Sequence, residues 1–532
     1  MNEQDENNII TANQTENNNI INTNIQSGEI MFYSDENINL SEKIKNEIKS
    51  ESDFLIVFVN PRSGSQQGKI LFDLAEQYIE KSIPDYKLLS FPIIKRKNTN
   101  KELSKMKNKI EQSLHFSKFE KNRHFSTLIF NIIDKNDYEK GIFFITQYFR
   151  DFPKNTLKIL VAGGDGTVLS VVEQLNRKNI PLKRCIFGAM PFGTGNDLSN
   201  ALGFGNKVHL RGIKNLQRVL YTYLIATKTK IDVWELNVIV DKNRGLIFDV
   251  VKDGEKLKTD SEKKEITEFK KTFVNYCSIG FDARVGFQFE QKRSSSRFCN
   301  KLIYCIEATK RIFCCKINYG LSQLLESFEE GDDDEYHSDN DNNEMDDMKN
   351  CPLLPDGEKK NNVHRNTIFK TQKEKVETDK VLKRNPVNII CQNIAFYMGG
   401  TQNIWDKSDH LAIKVEDVSK KQYKEYRKQV LNSFNKQRFD DKKIEFFTYE
   451  HGIELGLERV ARGLAKKVYQ GGGPVFLEFK KKPNSTESKA LSKVYINADG
   501  EFFHLVFPLQ IRIGLNTKIC EGQINILKND TE

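Results

Sequence analysis

Two glycine-rich turns lie close together in this 532-residue chain, and both are built of residue types that hold phosphate. The first is Gly163-Gly164-Asp165-Gly166-Thr167, after Leu160-Val161-Ala162; the second is Gly193-Thr194-Gly195-Asn196-Asp197, after Pro191-Phe192. Each follows a short apolar run and precedes a helix-like stretch, so backbone N–H groups and a helix N-terminus can converge on an anion. Glycine suits such a turn because a side chain would keep the backbone from phosphate oxygens, and because these turns often call for positive φ. Asp165, between glycines, stands where it can hold Mg²⁺ or face a reacting hydroxyl. A third turn, Asn60-Pro61-Arg62-Ser63-Gly64, follows another apolar run, and Asn60, Ser63 and Gly64 could cradle phosphate there. Ser63, Thr194 and Asn196 are also helix-capping types, and capping and anion binding use the same helix end. Phosphoryl transfer asks a protein mainly for positioning and charge stabilisation, which these turns supply. Neither G-x-x-x-x-G-K-[ST] nor G-x-G-x-x-G accounts for them, so the scaffold is a different one.

The elements that must position these turns are legible as patterns. Residues 54–59, 157–162 and 185–190 are continuous apolar runs of strand length, each leading into one turn, and residues 70–78 are apolar at helical spacing. This predicts an α/β domain with an open, mainly parallel sheet that binds its ligand beyond the carboxyl ends of the strands. Residues 95–140 are longer and more polar than a simple crossover and read as a helical excursion. From residue 231 the runs become shorter (233–240, 273–279, 387–397, 410–415, 475–479), which predicts a mainly antiparallel, β-rich second domain with the active site in the cleft between the two. Residues 453–468 read as one amphipathic helix, with Ile453, Leu457, Val460, Leu464 and Val468 on one face and Arg459, Arg462 and Lys466 opposite. The Asn-rich residues 1–50 read as a disordered tail. Residues 326–384, acidic and then polar, read as a disordered insertion in the second domain.

Composition narrows the class. The net charge of +9 conceals an asymmetry, because residues 326–347 contain twelve acidic residues and no Lys or Arg. A basic body suits an enzyme that binds a nucleotide and sits on an anionic membrane surface. No nucleic-acid recognition module or basic-aromatic platform is present, so nucleic acid is not expected as a partner. No apolar stretch approaches the ~18 residues that would span a bilayer. Residues 1–26 lack Lys and Arg and resemble no signal or transit peptide, and the nine cysteines are scattered, so the expected location is cytoplasmic with reversible membrane association. Histidine is scarce and unclustered, which leaves no His-based triad or zinc site to infer.

The three turns, with Leu198 following Asp197, together resemble the nucleotide-site motifs of the diacylglycerol kinases. The turns at residues 60–64 and 163–167 alone would fit sphingosine, ceramide and NAD kinases and phosphofructokinases as well. Downstream, Lys230-Ile231-Asp232-Val233-Trp234, Tyr276-Cys277-Ser278-Ile279-Gly280-Phe281-Asp282-Ala283, Asn300-Lys301-Leu302-Ile303-Tyr304, Gly399-Gly400-Thr401-Gln402-Asn403-Ile404-Trp405 and Asp499-Gly500-Glu501 stand in the order of the eukaryotic accessory domain. The resemblance runs from about residue 54 to about 507 and implies a catalytic domain over 51–230 and an accessory domain over 231–525. It implies ATP and Mg²⁺ as cofactors and membrane diacylglycerol as substrate, with phosphatidic acid as product. Asp165 would be catalytic and hold the metal, and Asp499, in an Asp-Gly-Glu turn facing the acceptor, would be the base. An Asp-Gly pair is also a plain hairpin signal, and which of the two aspartates takes the proton stays open. The alternatives are a ceramide or sphingoid-base kinase, or a non-catalytic nucleotide-binding protein of this fold. No C-x-x-C occurs, so the zinc-bound C1 modules common beside this catalytic domain are not expected. Oligomeric state is not legible.

Overall fold

The strand Phe54–Val59 is buried along its whole length, as expected of an apolar run covered on both faces of a sheet. In the computed structural model, which describes residues 54–63, 67–78, 88–92, 124–193, 195–294, 297–313, 320–331, 365–371, 381–382, 385–410, 413–414, 419–481 and 493–530, this strand lies in the middle of a seven-stranded sheet. Parallel neighbours are His124–Asn131 on one side and Leu157–Gly163 on the other, followed by Cys185–Pro191. The edges are antiparallel: Leu88–Pro92 pairs with His124–Asn131, and Thr227–Asp232 pairs with Gln523–Lys528. The fold class is therefore the expected one, with four corrections to its parts.

The segment read as a helical excursion contains the strand His124–Asn131, parallel to the first strand and followed by the helix Lys135–Asp151. That helix starts at Asp134, whose side chain accepts from the N–H groups of Asn136 and Asp137, and it buries Phe144, Ile145 and Tyr148. Phe144 and Tyr148 lie against Phe54, with ring centroids 6.0 and 6.5 Å away. The rest of the excursion, residues 95–123, lies outside the described residues. Next, Gln523–Lys528, at the end of the region assigned to the accessory domain, joins the first sheet, parallel to Cys185–Pro191 and antiparallel to Thr227–Asp232. Such a pairing joins strands more than three hundred residues apart, which local periodicity cannot report.

Residues 234–515 supply two further, mainly antiparallel sheets of eight and nine strands, which share one core built from Trp234, Leu236 and Val238 of the first and Cys277, Ile279 and Ile496 of the second. Third, the proposed insertion is narrower than residues 326–384. Leu325–Glu330 is a strand between Val475–Phe479 and Asn366–Lys370, with Phe328 and Phe369 buried, so burial on one face outweighs the acidic composition. Residues 332–364 and 1–53 lie outside the described residues.

The helix expected over 453–468 ends early. It spans Gly452–Ala461, and the chain then turns through Arg462 (φ +46°) and Gly463 (φ +79°) into the strand Lys466–Gly471. Glu458 causes this stop: its carboxylate accepts the N–H groups of Gly463, Leu464 and Ala465 at 2.7, 3.0 and 3.2 Å. Val468 is then a core residue of a strand, not part of the helix face. Among the described residues no helix is long and apolar enough to cross a membrane.

Candidate active site

The carboxyl ends of the central strands bring the glycine turns into contact. Asn60 N–H donates to Ala162 O at 2.9 Å, and Phe192 N–H to Gly163 O at 3.1 Å, so each turn is anchored to its neighbour's strand. Asn60 also closes its own turn, its Oδ1 accepting from Arg62 N–H at 3.0 Å. Pro61 and Ser63 are half-buried and Arg62 is exposed; Gly64 and Thr194 lie outside the described residues.

Gly163 and Gly193 are needed for close approach, and none of the glycines at 163, 164, 166, 193 and 195 adopts positive φ, contrary to the conformational half of the expectation. A Cβ on Gly193 would stand 2.6 Å from Gly164 Cα, and one on Gly163 would stand 2.6 Å from Thr167 Oγ1. Gly164 opens the helix Asp165–Arg177 with no side-chain cap, leaving that helix end to a ligand. Gly193→Ala should therefore push the two turns apart and lower kcat/KM by about a hundredfold, the scale expected of small displacements in a reacting geometry. Gly164→Ala, whose Cβ would meet only Gly193 Cα at 3.5 Å, should be milder. Equal losses in the two variants' steady-state kinetics would contradict this packing.

Asn196 does not cap the helix Asp197–Ala201 with its side chain; at φ +57° it spans its own loop, donating from Nδ2 to Gly193 O (3.0 Å) and Asn206 O (2.8 Å). Asp165 does that capping instead: its Oδ2 accepts from Asp197 N–H at 2.9 Å. Asp197 is fully buried. Its Oδ2 accepts from Gly399 N–H at 2.8 Å and Tyr276 Oη–H at 3.3 Å, both from the accessory region. Its side chain is a clasp between the two halves more than a nucleotide contact. Glycine suits position 399 because its φ of +76° is a backbone conformation that L side chains rarely adopt.

Asp499 enters from the opposite wall. It occupies a left-handed turn position (φ +49°), and its carboxylate accepts three backbone N–H groups, from Val274 at 2.8 Å and from Asn275 and Tyr276 at 3.0 Å. Those donors are free because the expected strand 273–279 breaks there: Glu268–Phe273 belongs to one accessory sheet and Tyr276–Gly280 to the other. Glu501, in the same Asp-Gly-Glu turn, reaches back so that a Cβ on Gly166 would stand 3.3 Å from its Oε1, and it pairs with Lys271 at 2.8 Å.

Three carboxylates, Asp165, Asp197 and Asp499, thus face one another at the junction. Burial, then the charges of Asp197 and Asp499, push the Asp165 carboxyl from 3.8 up to about 8. Burial raises Asp499 to about 6 against the opposing effect of its three amide donors. Among the described residues, the group of three metal-ligating side chains whose ligand atoms all lie within 4.8 Å of one another is Glu450, His451 and Glu454, not these three aspartates. Sequence reasoning missed Asp197's turn toward the accessory region and the parts of Tyr276, Gly399, Glu501 and Lys271. All but Lys271 stood in quoted motifs, without a signal of which wall each belongs to.

The family model for the diacylglycerol kinase catalytic domain matches residues 54–222, and that for the diacylglycerol kinase accessory domain matches residues 272–502. The chain belongs to the diacylglycerol kinase family. Among relatives, diacylglycerol kinase 4 of Arabidopsis thaliana is 30% identical over 171 residues, 28% of this chain and 34% of that protein. Diacylglycerol kinase iota of Homo sapiens is 32% identical over 168 residues, 30% of this chain and 14% of that protein. The aligned part thus spans about a third or less of these relatives' length. Within the diacylglycerol kinase domains, Asn60, Gly163, Asp165, Gly193 and Asp197 make the contacts that join the turns to one another or to the accessory region, while Arg62 is exposed.

Proposed function

We propose that the chain is an ATP-dependent lipid kinase that phosphorylates diacylglycerol to phosphatidic acid as a peripheral protein at an anionic membrane surface. The observation that carries this reading is the clasp of Asp197 by Gly399 and Tyr276, which closes phosphate turns of the catalytic domain against an accessory domain of the same lipid-kinase family. In this reading the acceptor hydroxyl oxygen bonds to the γ-phosphorus of ATP, the bond from that phosphorus to the β–γ bridging oxygen breaks, and ADP leaves.

Asn60, Gly163, Gly164, Gly193 and Gly195 bring backbone to the phosphates. Asp165 would offer an oxygen to Mg²⁺, which when bound would neutralise phosphate charge. Asp499 accepts the hydroxyl proton: with its pKa pushed to about 6 it is ionised at neutral pH yet remains basic, and three amide donors fix its orientation. The proton then passes to solvent. Activity should fall on the acid side of about pH 6, where this carboxylate becomes protonated, and a pH–kcat/KM profile reads that limb.

The decisive experiment supplies labelled ATP and Mg²⁺ with mixed micelles of diacylglycerol, ceramide or sphingosine, each alone. Diacylglycerol should be labelled far faster than the others. Preference for ceramide or sphingosine would replace the substrate, and no labelling of any lipid would favour a non-catalytic nucleotide-binding protein.

A further inference from the structure

Two helices bordering the active-site hairpin are turned inside out. In Gly452–Ala461 the carboxylate of Glu458 is buried, 2% exposed, while Ile453, Leu457 and Val460 at spacing i, i+4, i+7 face solvent, 43, 47 and 85% exposed. In Arg297–Phe313 the carboxylate of Glu307 is likewise buried, bonded to Lys292 at 2.8 Å and Lys310 at 3.4 Å, while Leu302 and Ile306 are 55 and 43% exposed. A soluble surface helix carries the reverse pattern, apolar inward and charged outward. Both helices adjoin one element, the hairpin of residues 396–402. Tyr304 Oη lies 3.5 Å from Met398 Sδ, and Gly452–Ala461 packs on Thr401–Gln402. Met398 precedes Gly399, whose N–H is held by Asp197 in the site.

We propose that these two apolar faces form the surface by which the protein enters the interface of an anionic bilayer, seating the cleft over its acceptor lipid. This rests on the reading above: an acceptor with two acyl chains keeps its hydroxyl at headgroup level, so a site inside a cleft reaches it only when the rim enters the membrane. Neither helix is long enough to cross, and an apolar outward face with flanking cations is the interfacial pattern. Cations border the faces: Lys292, before one helix, and Lys310, within it, both pair with the buried Glu307 yet keep side chains 49 and 54% exposed, and exposed Arg462 ends the other helix.

The test uses the full chain and sedimentation with phosphatidylcholine vesicles with or without phosphatidylserine, containing no diacylglycerol. Leu302→Gln with Ile306→Gln, and Leu457→Gln with Val460→Gln, should each weaken partitioning by about tenfold. Ile225→Gln, an exposed apolar residue of the catalytic domain, should leave it unchanged. All variants should keep the wild-type melting temperature and phosphorylate a short-chain diacylglycerol, dispersed as monomers, at the wild-type rate. Wild-type partitioning of the four-site variant overturns the proposal. So does a dimer that the four substitutions dissociate in light scattering, which would assign the faces to a second copy, or a lowered melting temperature, which would assign them to this chain's own packing. If even the wild type fails to phosphorylate the monomeric lipid, the proposed activity falls, while the vesicle measurement still decides the surface.

Discussion

Asp165→Asn should lower turnover by about a thousandfold, the upper scale for removing one preorganised electrostatic contact, and yet make the ligand-free protein more stable at pH 8. Both effects come from the three facing carboxylates. The Asp165 carboxyl is raised from 3.8 to about 8, first by burial and then by Asp197 and Asp499. Between those pH values the unfolded chain has lost the proton and the folded chain still holds it. The stabilisation attached to this group is therefore complete below 3.8 and lost as pH rises through about 8. At pH 8 the wild type has lost nearly all of it, a difference on the order of a few kcal/mol, whereas Asn carries no charge to bury. Its amide oxygen can still accept from Asp197 N–H. Thermal unfolding with and without Mg²⁺ measures this: the variant should melt several degrees higher than the metal-free wild type at pH 8, the gap should close toward pH 4, and Mg²⁺ should stabilise the wild type more. A variant that melts lower at pH 8 and remains active would remove Asp165 from the site.

Asp499→Asn should cost both activity and stability, and the two losses have separate causes. Removing the proton acceptor should lower kcat by about a hundredfold or more while ATP affinity changes little. The stability loss arises because the carboxylate accepts from Val274, Asn275 and Tyr276. An amide offers one oxygen and turns its NH₂ toward a backbone donor, leaving a buried N–H unpaired at a cost of about 1–3 kcal/mol. The conservative replacement is thus not silent in the fold, although Asn tolerates the left-handed backbone at this position. Single-turnover kinetics at a temperature where the variant is fully folded separates the two. Normal turnover there, with Asp165→Asn folded but inactive, would exchange the roles of the two aspartates.

The glycine turns and the strands that carry them were legible in the sequence because their signals are local. An apolar run such as residues 54–59 reads as a buried strand, and a Gly-Gly-Asp-Gly-Thr after the run at 157–162 reads as a strand-to-helix turn that admits an anion. The order of motifs also carried the family and the division into a parallel and an antiparallel part.

Only the tertiary structure decided which groups meet. That Gln523–Lys528 completes the first sheet, and that Leu325–Glu330 is a strand despite its acidic flank, depends on partners far along the chain. That Asp197 faces Gly399 and Tyr276, and that Asp499 takes its hydrogen bonds from a break between two sheets, depends on how those sheets stack. Helical spacing in residues 453–468 gave an apolar stripe but not the direction it faces. Glu458 drawing the following amides inward ended the helix and left Ile453, Leu457 and Val460 outside. Sequence period measures how side chains alternate about an element's own axis; which side becomes the interior is set by what that element packs against, and here that was another part of the chain.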